Sequence, residues 1–309
     1  MSTTRSDSLP DPDDLKREEI TFDGGDRDVR LYYHDSISKP LPSVTTITDE
    51  RVDPDKDDAI NGWKDFYDGQ TERTSPWWKD QMVFKQYRGT LGHWAIQTQL
   101  ADLPKGEEEH EAETALQNWA DHRPSATDED IPVFGDPSHY DGEDAWDTAM
   151  RDINWVCNQF DSHEATPDIG PEETVCVEQF LYDTEYGYAG QSDLVYDDPE
   201  TGERVLADLK LSSAVRHDYL LQLAAYARIL DDNLGRSSEE SYRTPSSSLE
   251  DEKGIDRLEV IRLYPDDRVV EVKTHDEWDR TWRGLEHEFL GLVDAMHANY
   301  RDQLADYYA

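Results

Sequence analysis

Two aspartates and a lysine in the second half of the chain have the residue types and the spacing that can assemble a divalent-metal site. Asp193 lies in the segment GQSDLVY, and Asp208 and Lys210 lie 15 and 17 positions later in ADLKLSS. Side chains of an extended segment alternate between its two faces, so Asp208 and Lys210 share a face. A hairpin turn at DDPETGE would bring Asp193 beside them.

The chemistry of such a group is metal-assisted hydrolysis. Carboxylate oxygens suit Mg²⁺ or Mn²⁺, which keep several waters and complete their coordination with phosphate oxygens. A lysine next to the ion can hold and help to deprotonate the attacking water. In a chain with 71 acidic residues, however, an Asp-x-Lys match alone carries little information, and its context must support it.

Three alternating segments and a helix must position these residues. The alternation predicts an antiparallel meander, and an amphipathic helix, HDYLLQLAAYARILDD, follows it. A hairpin, RLEVIRLYPDDRVVEVKTH, and a closing helix from about Glu277 to Tyr300 complete this half of the chain. The three segments of the meander are ETVCVEQFLYD, YGYAGQSDLVYDD and ERVLADLKLSS.

The first half of the chain is mainly helical in pattern. Residues 27 to 34 have strand character, and helices are predicted in INGWKDFYDG, SPWWKDQMVFKQYRGTLGHWAIQTQL and residues 107 to 122. Thr90 is expected to cap a helix that begins near Leu91, with His93 in its first turn. A further helix, EDAWDTAMRDINWVCNQFDSH, places five core residues at helical spacing: Trp146, Met150, Ile153, Val156 and Cys157.

The order of elements predicts one mixed α/β domain with a helical subregion before the sheet. We expect a disordered acidic leader at 1–20 and a single domain at 21–305. Within it, the helical subregion covers about 55–165, the sheet core about 172–275 and the C-terminal helix about 277–300. The polar segments at 123–141 and 235–254 are predicted to be loops.

The chain is strongly acidic, with 30 basic and 71 acidic residues and a net charge of −41. Dispersed acidity can indicate disorder, but 9 Trp, 16 Tyr and clear apolar periodicities favour a folded protein from a halophile. Concentrated salt screens repulsion between surface carboxylates. The lack of an overall basic surface therefore counts neither for nor against nucleic-acid binding.

Two cysteines without CxxC spacing argue against a disulfide framework, a zinc ribbon or an iron-sulfur cluster. Cys157 and Cys176 are expected to be small buried hydrophobic residues. No segment has the apolar core of a signal peptide or the length of a membrane span, so a soluble, cytoplasmic protein without a membrane partner is predicted.

The segments GYAGQSDLVY, ADLKLSS and YLLQLAAYA resemble the core motifs of the RecB-like nucleases of the PD-(D/E)XK superfamily. The resemblance implies a restriction-endonuclease-like core, in which helices flank a mixed central sheet. It implies that Asp193 and Asp208 are metal ligands together with the backbone carbonyl of Leu209, and that Lys210 activates water. Gln222 and Tyr226 match a Gln-x-x-x-Tyr element that orders the site or the substrate.

Two upstream segments agree with this resemblance. RGTLGHWAI resembles the Gly-Thr-x-x-His helix of the family, which implies that His93 is an outer metal ligand. VEQFLY supplies Glu178 at the position of a first-strand acid. One departure is that Leu211 and Ser212 follow Lys210, where the family usually has Thr and Ser.

Together with LPSVTTIT and GWKDF, these motifs are similar to phage-type and mitochondrial genome maintenance-type exonucleases over roughly residues 41 to 275. The implied function is a Mg²⁺- or Mn²⁺-dependent deoxyribonuclease without an iron-sulfur cluster. Such an enzyme would hydrolyse single-stranded DNA or linear DNA ends in repair, recombination or viral replication. Lys85, Arg88 and Arg216 are candidate DNA contacts, since an acidic protein must rely on local basic groups.

Each site residue also has a structural interpretation. His93 could be a hydrogen-bonded helix histidine, Glu178 could face solvent, and Gln222 and Tyr226 could line a sheet edge. The Trp and Tyr residues of 63–94 could stack on bases, although most are expected in the core. Two other functions stay open: a nucleic-acid-binding or assembly module without catalysis, and a structural protein in which the motif is accidental.

Overall fold

The structure, a computed structural model, describes residues 16–21, 28–33, 40–49, 77–122, 145–231, 254–278 and 281–299. At its N-terminal end, strands β1 (Lys16–Thr21), β2 (Asp28–Tyr33) and β3 (Leu41–Pro42) form a small antiparallel sheet. β2 confirms the strand predicted at 27 to 34. β1 begins within the segment 1–20 that is predicted to be a disordered leader, and its backbone pairs with β2; residues 1–15 lie outside the described residues.

In the described residues between β3 and the central sheet, the chain forms five helices: α1 (Val44–Asp49), α2 (Trp77–Leu100), α3 (Glu107–Gln117), α4 (Trp119–His122) and α5 (Ala145–Ser162). The prediction that a helix begins near Leu91 behind a Thr90 cap is wrong, because α2 runs unbroken through both residues. Phe84 and Leu91, seven positions apart on either side of Gly89, are buried on one face of this helix in the same core. The helices predicted at 107 to 122 and in EDAWDTAMRDINWVCNQFDSH are confirmed, the former with a break at Asn118.

Five strands form the central mixed sheet, in the order β4 (Thr174–Asp183), β5 (Tyr188–Asp197), β6 (Arg204–Lys210), β7 (Arg257–Tyr264) and β8 (Val269–Thr274). The predicted β4-β5-β6 meander and β7-β8 hairpin are both antiparallel. β6 and β7 are parallel, and α6 (His217–Asp231) makes the crossover that a parallel pair requires. The closing helix, α7 (Trp282–Asn299), begins after the predicted Glu277 because His275–Trp278 forms a 3₁₀ turn.

Helices cover both faces of this sheet. On one face, α1, α6 and α7 pack Ile47, Leu220 and Phe289 into a core with Val195 and Leu206. On the other face, Ile96 of α2 and Val156 of α5 pack against the alternate side chains of the same strands, Leu194, Ala207 and Leu209. The molecule is therefore a mixed α/β protein with a five-stranded sheet between helices.

The helical subregion has its own core between α2, α3 and α5. Phe84, Leu116 and Ile153 are buried there, while Trp146, Met150 and Cys157 pack against them in part. Both cysteines are free thiols, Cys176 buried and Cys157 half-buried. Among the described helices, none combines the length and the apolar character that crossing a bilayer requires. The helix predicted at INGWKDFYDG and the loops predicted at 123–141 and 235–254 lie outside the described residues, apart from the last residue of the latter.

A buried ionic network fixes α2 against the rest of the fold. The Arg88 guanidinium, 1% exposed, lies 2.7 Å from Asp152 of α5 and 2.5 Å from Asp266 in the β7-β8 turn. Lys85 lies 2.7 Å from Asp266. Burial disfavours the charged Asp266, but Arg88 and Lys85 more than offset it and hold its pKa well below the ordinary range. Arg88 is therefore a structural residue: the predicted DNA contact is contradicted, because its charge is buried and already paired.

Replacing Arg88 should destabilise the protein far more than replacing an exposed lysine. Arg88→Met leaves Asp152 and Asp266 without their buried cation, so we expect the free energy of unfolding to fall by about 3–5 kcal/mol. The control, Lys273→Met, breaks a half-exposed pair with Glu271 and should cost less than about 1 kcal/mol. Urea unfolding in high KCl measures both, and equal losses would contradict the structural role of Arg88.

Candidate functional site

The site forms where β5 and β6 separate. Their ladder ends at the pair Leu194–Ala207, so Asp193 and Asp208 are the first residues beyond it. There the Asp193 side chain replaces a backbone partner, because its Oδ2 accepts a hydrogen bond of 2.8 Å from the Leu209 N–H. This bond fixes the Asp193 carboxylate against β6, next to Asp208.

Asp208 and Lys210 form an ion pair of 2.5 Å on one face of β6, as their alternation predicts. Asp208 is 5% exposed, and its second oxygen, Oδ2, is buried without a hydrogen-bond partner. Burial raises the pKa of Asp208, and Asp193 raises it further, although Lys210 opposes the shift. Burial lowers the pKa of Lys210, but Asp208 and Asp193 more than compensate and raise it overall, so the lysine remains charged.

Glu178 adds a third carboxylate from β4. It lies between the pairs Val177–Leu194 and Gln179–Ser192, which places it opposite Asp193. Its backbone has a φ of 50°, a left-handed conformation that costs a residue with a side chain about 1–2 kcal/mol. Burial and Asp193 raise the pKa of Glu178. The side chain is half-buried, lines the cleft and accepts a hydrogen bond from Gln97, so it does not simply face solvent.

His93 approaches this group from α2. Its Nδ1 atom lies 3.8 Å from Asp193 Oδ2, and the side chain is 25% exposed. Burial lowers the pKa of His93 and Lys210 lowers it further, although Asp193 acts in the opposite direction. The imidazole is therefore neutral near pH 7 and keeps a nitrogen lone pair that a metal ion can use. The distance is longer than a hydrogen bond, so His93 is near Asp193 without being bonded to it.

The two residues of the predicted Gln-x-x-x-Tyr element separate in the structure. Tyr226 lies beside Gly190 and lines the same cleft as Asp193. Gln222 turns towards α1, where its Nε2 donates to Thr48 Oγ1 at 3.2 Å, and it does not line the cleft. This hydrogen bond joins α6 to α1, and like Asp208 and Lys210, Gln222 is not among the residues that line the cleft.

Four of the candidate residues, His93, Glu178, Asp193 and Tyr226, line an open, polar cleft of about 420 Å³. Asp208 and Lys210 lie behind Asp193 and are not among the residues that line the cleft. Sequence reasoning missed several residues of its lining, which come from β2, the β3-α1 junction, α2 and α3: Arg30, Tyr32, Thr45, Gln97, Glu108 and Glu109. A signal existed for Gln97, because it lies four positions after His93 and therefore on the same face of α2. The other residues come from elements distant in sequence and carry no comparable pattern.

Two of the three candidate DNA contacts remain at the surface. Lys85 lines the cleft, where Asp266 already pairs with it. The Arg216 side chain is 42% exposed, and its guanidinium lies over the ring of Tyr219. Lys210 contacts the same ring, so Arg216 is close to the site, although it does not line the cleft. Among the described aromatic residues of 77–94, Phe84 is core, whereas Trp94 lines the cleft.

The donor set is suited to a hard cation. Within the described residues, no group of three or more His, Cys, Asp or Glu side chains is already arranged as a metal-binding cage. Two observations nevertheless fit a divalent cation: the buried Asp208 Oδ2 atom lacks a partner, and Asp193 raises the pKa values of both Glu178 and Asp208. A cation would partner that oxygen and relieve the repulsion. Carboxylate oxygens favour Mg²⁺ or Mn²⁺.

Comparison of the chain with protein-family models gave no match, and comparison with curated proteins gave none either.

Gly190 is expected to be essential for the position of Tyr226. A Cβ atom at residue 190 would lie 2.7 Å from the tyrosine hydroxyl and 2.8 Å from the ring, so Gly190→Ala must displace Tyr226. We expect a loss of about 1–3 kcal/mol in unfolding free energy, as for other overpacked sites. In the control, Gly291→Ala, the new Cβ meets open space on α7 and should be neutral or stabilising. Thermal unfolding distinguishes them; an unchanged Gly190→Ala midpoint would contradict the contact.

Proposed function

We propose that this chain is a Mg²⁺- or Mn²⁺-dependent deoxyribonuclease of the RecB-like PD-(D/E)XK type. The observation that carries the proposal is that His93, Glu178, Asp193, Asp208 and Lys210 come from four elements and lie together where β5 and β6 separate. An accidental Asp-x-Lys match would not be expected to bring the other three residues to the same place.

The topology supports the same proposal. An antiparallel meander leads through α6 to a parallel strand, and the acidic residues lie at the end of the meander. We infer that this sheet and its flanking helices are a restriction-endonuclease-like core. In that arrangement α2 adds His93 from outside the sheet, as the Gly-Thr-x-x-His resemblance implies.

Each site residue has a role in phosphodiester hydrolysis. The bound metal would polarise the phosphate and lower the pKa of a water molecule. Asp193 and Asp208 would supply ligands from β5 and β6, and the Leu209 carbonyl would add one, since N–H and C=O of one strand residue point to the same edge. Glu178 and His93 would complete the outer coordination. Lys210, held by Asp208, would orient the attacking water, and Tyr226 would close the wall behind Asp193.

The cleft supports a nucleic-acid substrate in spite of the net charge of −41. Lys85 and Arg30 line its wall, and Trp94 offers an aromatic ring. We propose an exonuclease that acts on single-stranded DNA or linear DNA ends in the cytoplasm, in repair, recombination or viral replication. Because a halophile's concentrated salt weakens phosphate contacts, metal bridging and stacking would contribute more to binding than long-range attraction.

A second candidate is a nucleic-acid-binding or assembly module without catalysis. One observation favours it: in the part of the chain that the structure describes, the acidic side chains are not yet arranged as a metal cage. The intact Asp208–Lys210 pair favours the enzyme, because a decayed site would be expected to lose one member. The two functions differ in whether DNA is cleaved.

Substitution of the ion pair should abolish cleavage. With Mn²⁺ in high KCl, we expect the wild type to degrade linear single-stranded DNA, and Asp208→Asn and Lys210→Met to lose at least about 100-fold in rate. Asp294→Asn and Lys273→Met, which remove an exposed acid and a half-exposed lysine elsewhere, serve as matched controls. A circular substrate distinguishes exonuclease from endonuclease. A wild type that cleaves neither form of DNA would contradict the enzymatic function.

Divalent metal should stabilise the folded protein without DNA. A ligand that binds only the native state at 100 times its dissociation constant adds about 2.7 kcal/mol, so Mn²⁺ should raise the melting midpoint by several degrees. Asp208→Asn should lose most of this increase, whereas Asp294→Asn should keep it. If Mn²⁺ and Ca²⁺ titrations leave the wild-type midpoint unchanged, the metal site is ruled out.

A further inference from the structure

We propose that Gln97 is a positioning residue whose side-chain amide holds the Glu178 carboxylate beside Asp193 for cation binding. This inference rests on the proposed function and adds a residue that the motif resemblance does not include. Gln97 contacts the carboxylate of Glu178 and acts through it.

The contact joins two rigid parts of the fold. Gln97 is 2% exposed, and its Nε2 donates a hydrogen bond to Glu178 Oε1. Its neighbours on α2, Ile96 and Leu100, are buried against the sheet. The amide is therefore fixed by packing, one helical turn beyond His93, so that one face of α2 presents both side chains to the site.

Glu178 requires such a partner because its strand is irregular at this residue and does not fix the direction of the side chain. Its left-handed backbone interrupts the pleat, which otherwise determines where each strand side chain points. The backbone is held from β5, where Gln191 Nε2 donates to the Glu178 carbonyl at 3.1 Å. The carboxylate is repelled by Asp193, Glu108 and Glu109. The Gln97 amide opposes this repulsion and keeps the carboxylate on the inner side of the cleft.

A glutamine suits this position better than a charged residue. A glutamate at 97 would add a negative charge to a group of carboxylates that already repel one another. A lysine would pair with Glu178 and take the place that a metal ion would occupy. The neutral amide donates one hydrogen bond and leaves the negative charge of Glu178 available to a cation.

The test compares two buried glutamines of the same helix. Gln97→Met removes the amide at nearly constant volume, and Gln81→Met makes the same change at a residue that is 2% exposed and outside the cleft. Mn²⁺ is titrated without DNA, with the melting midpoint as the readout. We expect Gln97→Met to need roughly 10- to 100-fold more Mn²⁺ for half of the stabilisation. We expect Gln81→Met to match the wild type. Gln97→Glu, which replaces the donor by an acceptor, should act like Gln97→Met and provides the measurement if the latter does not fold.

A double-mutant cycle identifies the route of the effect. In a Glu178→Ala background, Gln97→Met should cause no further change in Mn²⁺ requirement, since the group that it positions is absent. The inference is overturned if the wild type binds Mn²⁺ and cleaves DNA but Gln97→Met does not change the Mn²⁺ requirement. It is also overturned if Gln97→Met raises the Mn²⁺ requirement equally in the wild-type and Glu178→Ala backgrounds. A wild type that shows neither activity nor an Mn²⁺ effect overturns the proposed function, and this inference with it.

Discussion

The separation of β5 from β6 beyond Leu194–Ala207 is the constraint on which the site depends. β6 pairs in parallel with β7 along its other edge, as far as Lys210. This pairing keeps β6 in line with β7, so β6 does not stay beside β5. β5 instead continues beside β4, and a bridge from Ser43 to Ala189 lies near its beginning. The gap between the two strands leaves backbone groups without ladder partners. The Asp193 carboxylate provides one missing partner by accepting a hydrogen bond from the Leu209 N–H. Residues of α2 and of the N-terminal sheet line the cleft beside it.

The balance of charge in this gap differs from that on the surface. Exposed carboxylates are hydrated, and salt screens their repulsion, so a highly acidic exterior is tolerated. Glu178, Asp193 and Asp208 are mostly removed from water and from that screening. Lys210 is the cation that faces them among the described residues that contact the group, and His93 is neutral. The raised pKa values of Glu178 and Asp208 mean that proton uptake relieves the repulsion when no cation is bound. A divalent ion would relieve it while all three carboxylates stay charged.

Elements governed by local pattern could be predicted from the sequence. The meander, the crossover helix and the hairpin follow from alternation and helical periodicity, and the shared face of Asp208 and Lys210 follows from strand geometry. Features that depend on distant contacts could not be predicted. Arg88 looked like a surface base because its partners, Asp152 and Asp266, are 64 and 178 positions away. Gln222 matched a motif, yet its hydrogen-bond partner, Thr48, is 174 positions away and could not be identified from the sequence.

The left-handed backbone of Glu178 creates a conflict between stability and chemistry at one position. Glycine would adopt this conformation without strain, but it has no carboxylate. Asparagine and aspartate tolerate it better than glutamate, but their side chains are one methylene shorter. A residue that relieves the backbone strain at position 178 would therefore weaken the site. Selection for thermal stability alone would drive this position away from function, a trade-off typical of strained site residues.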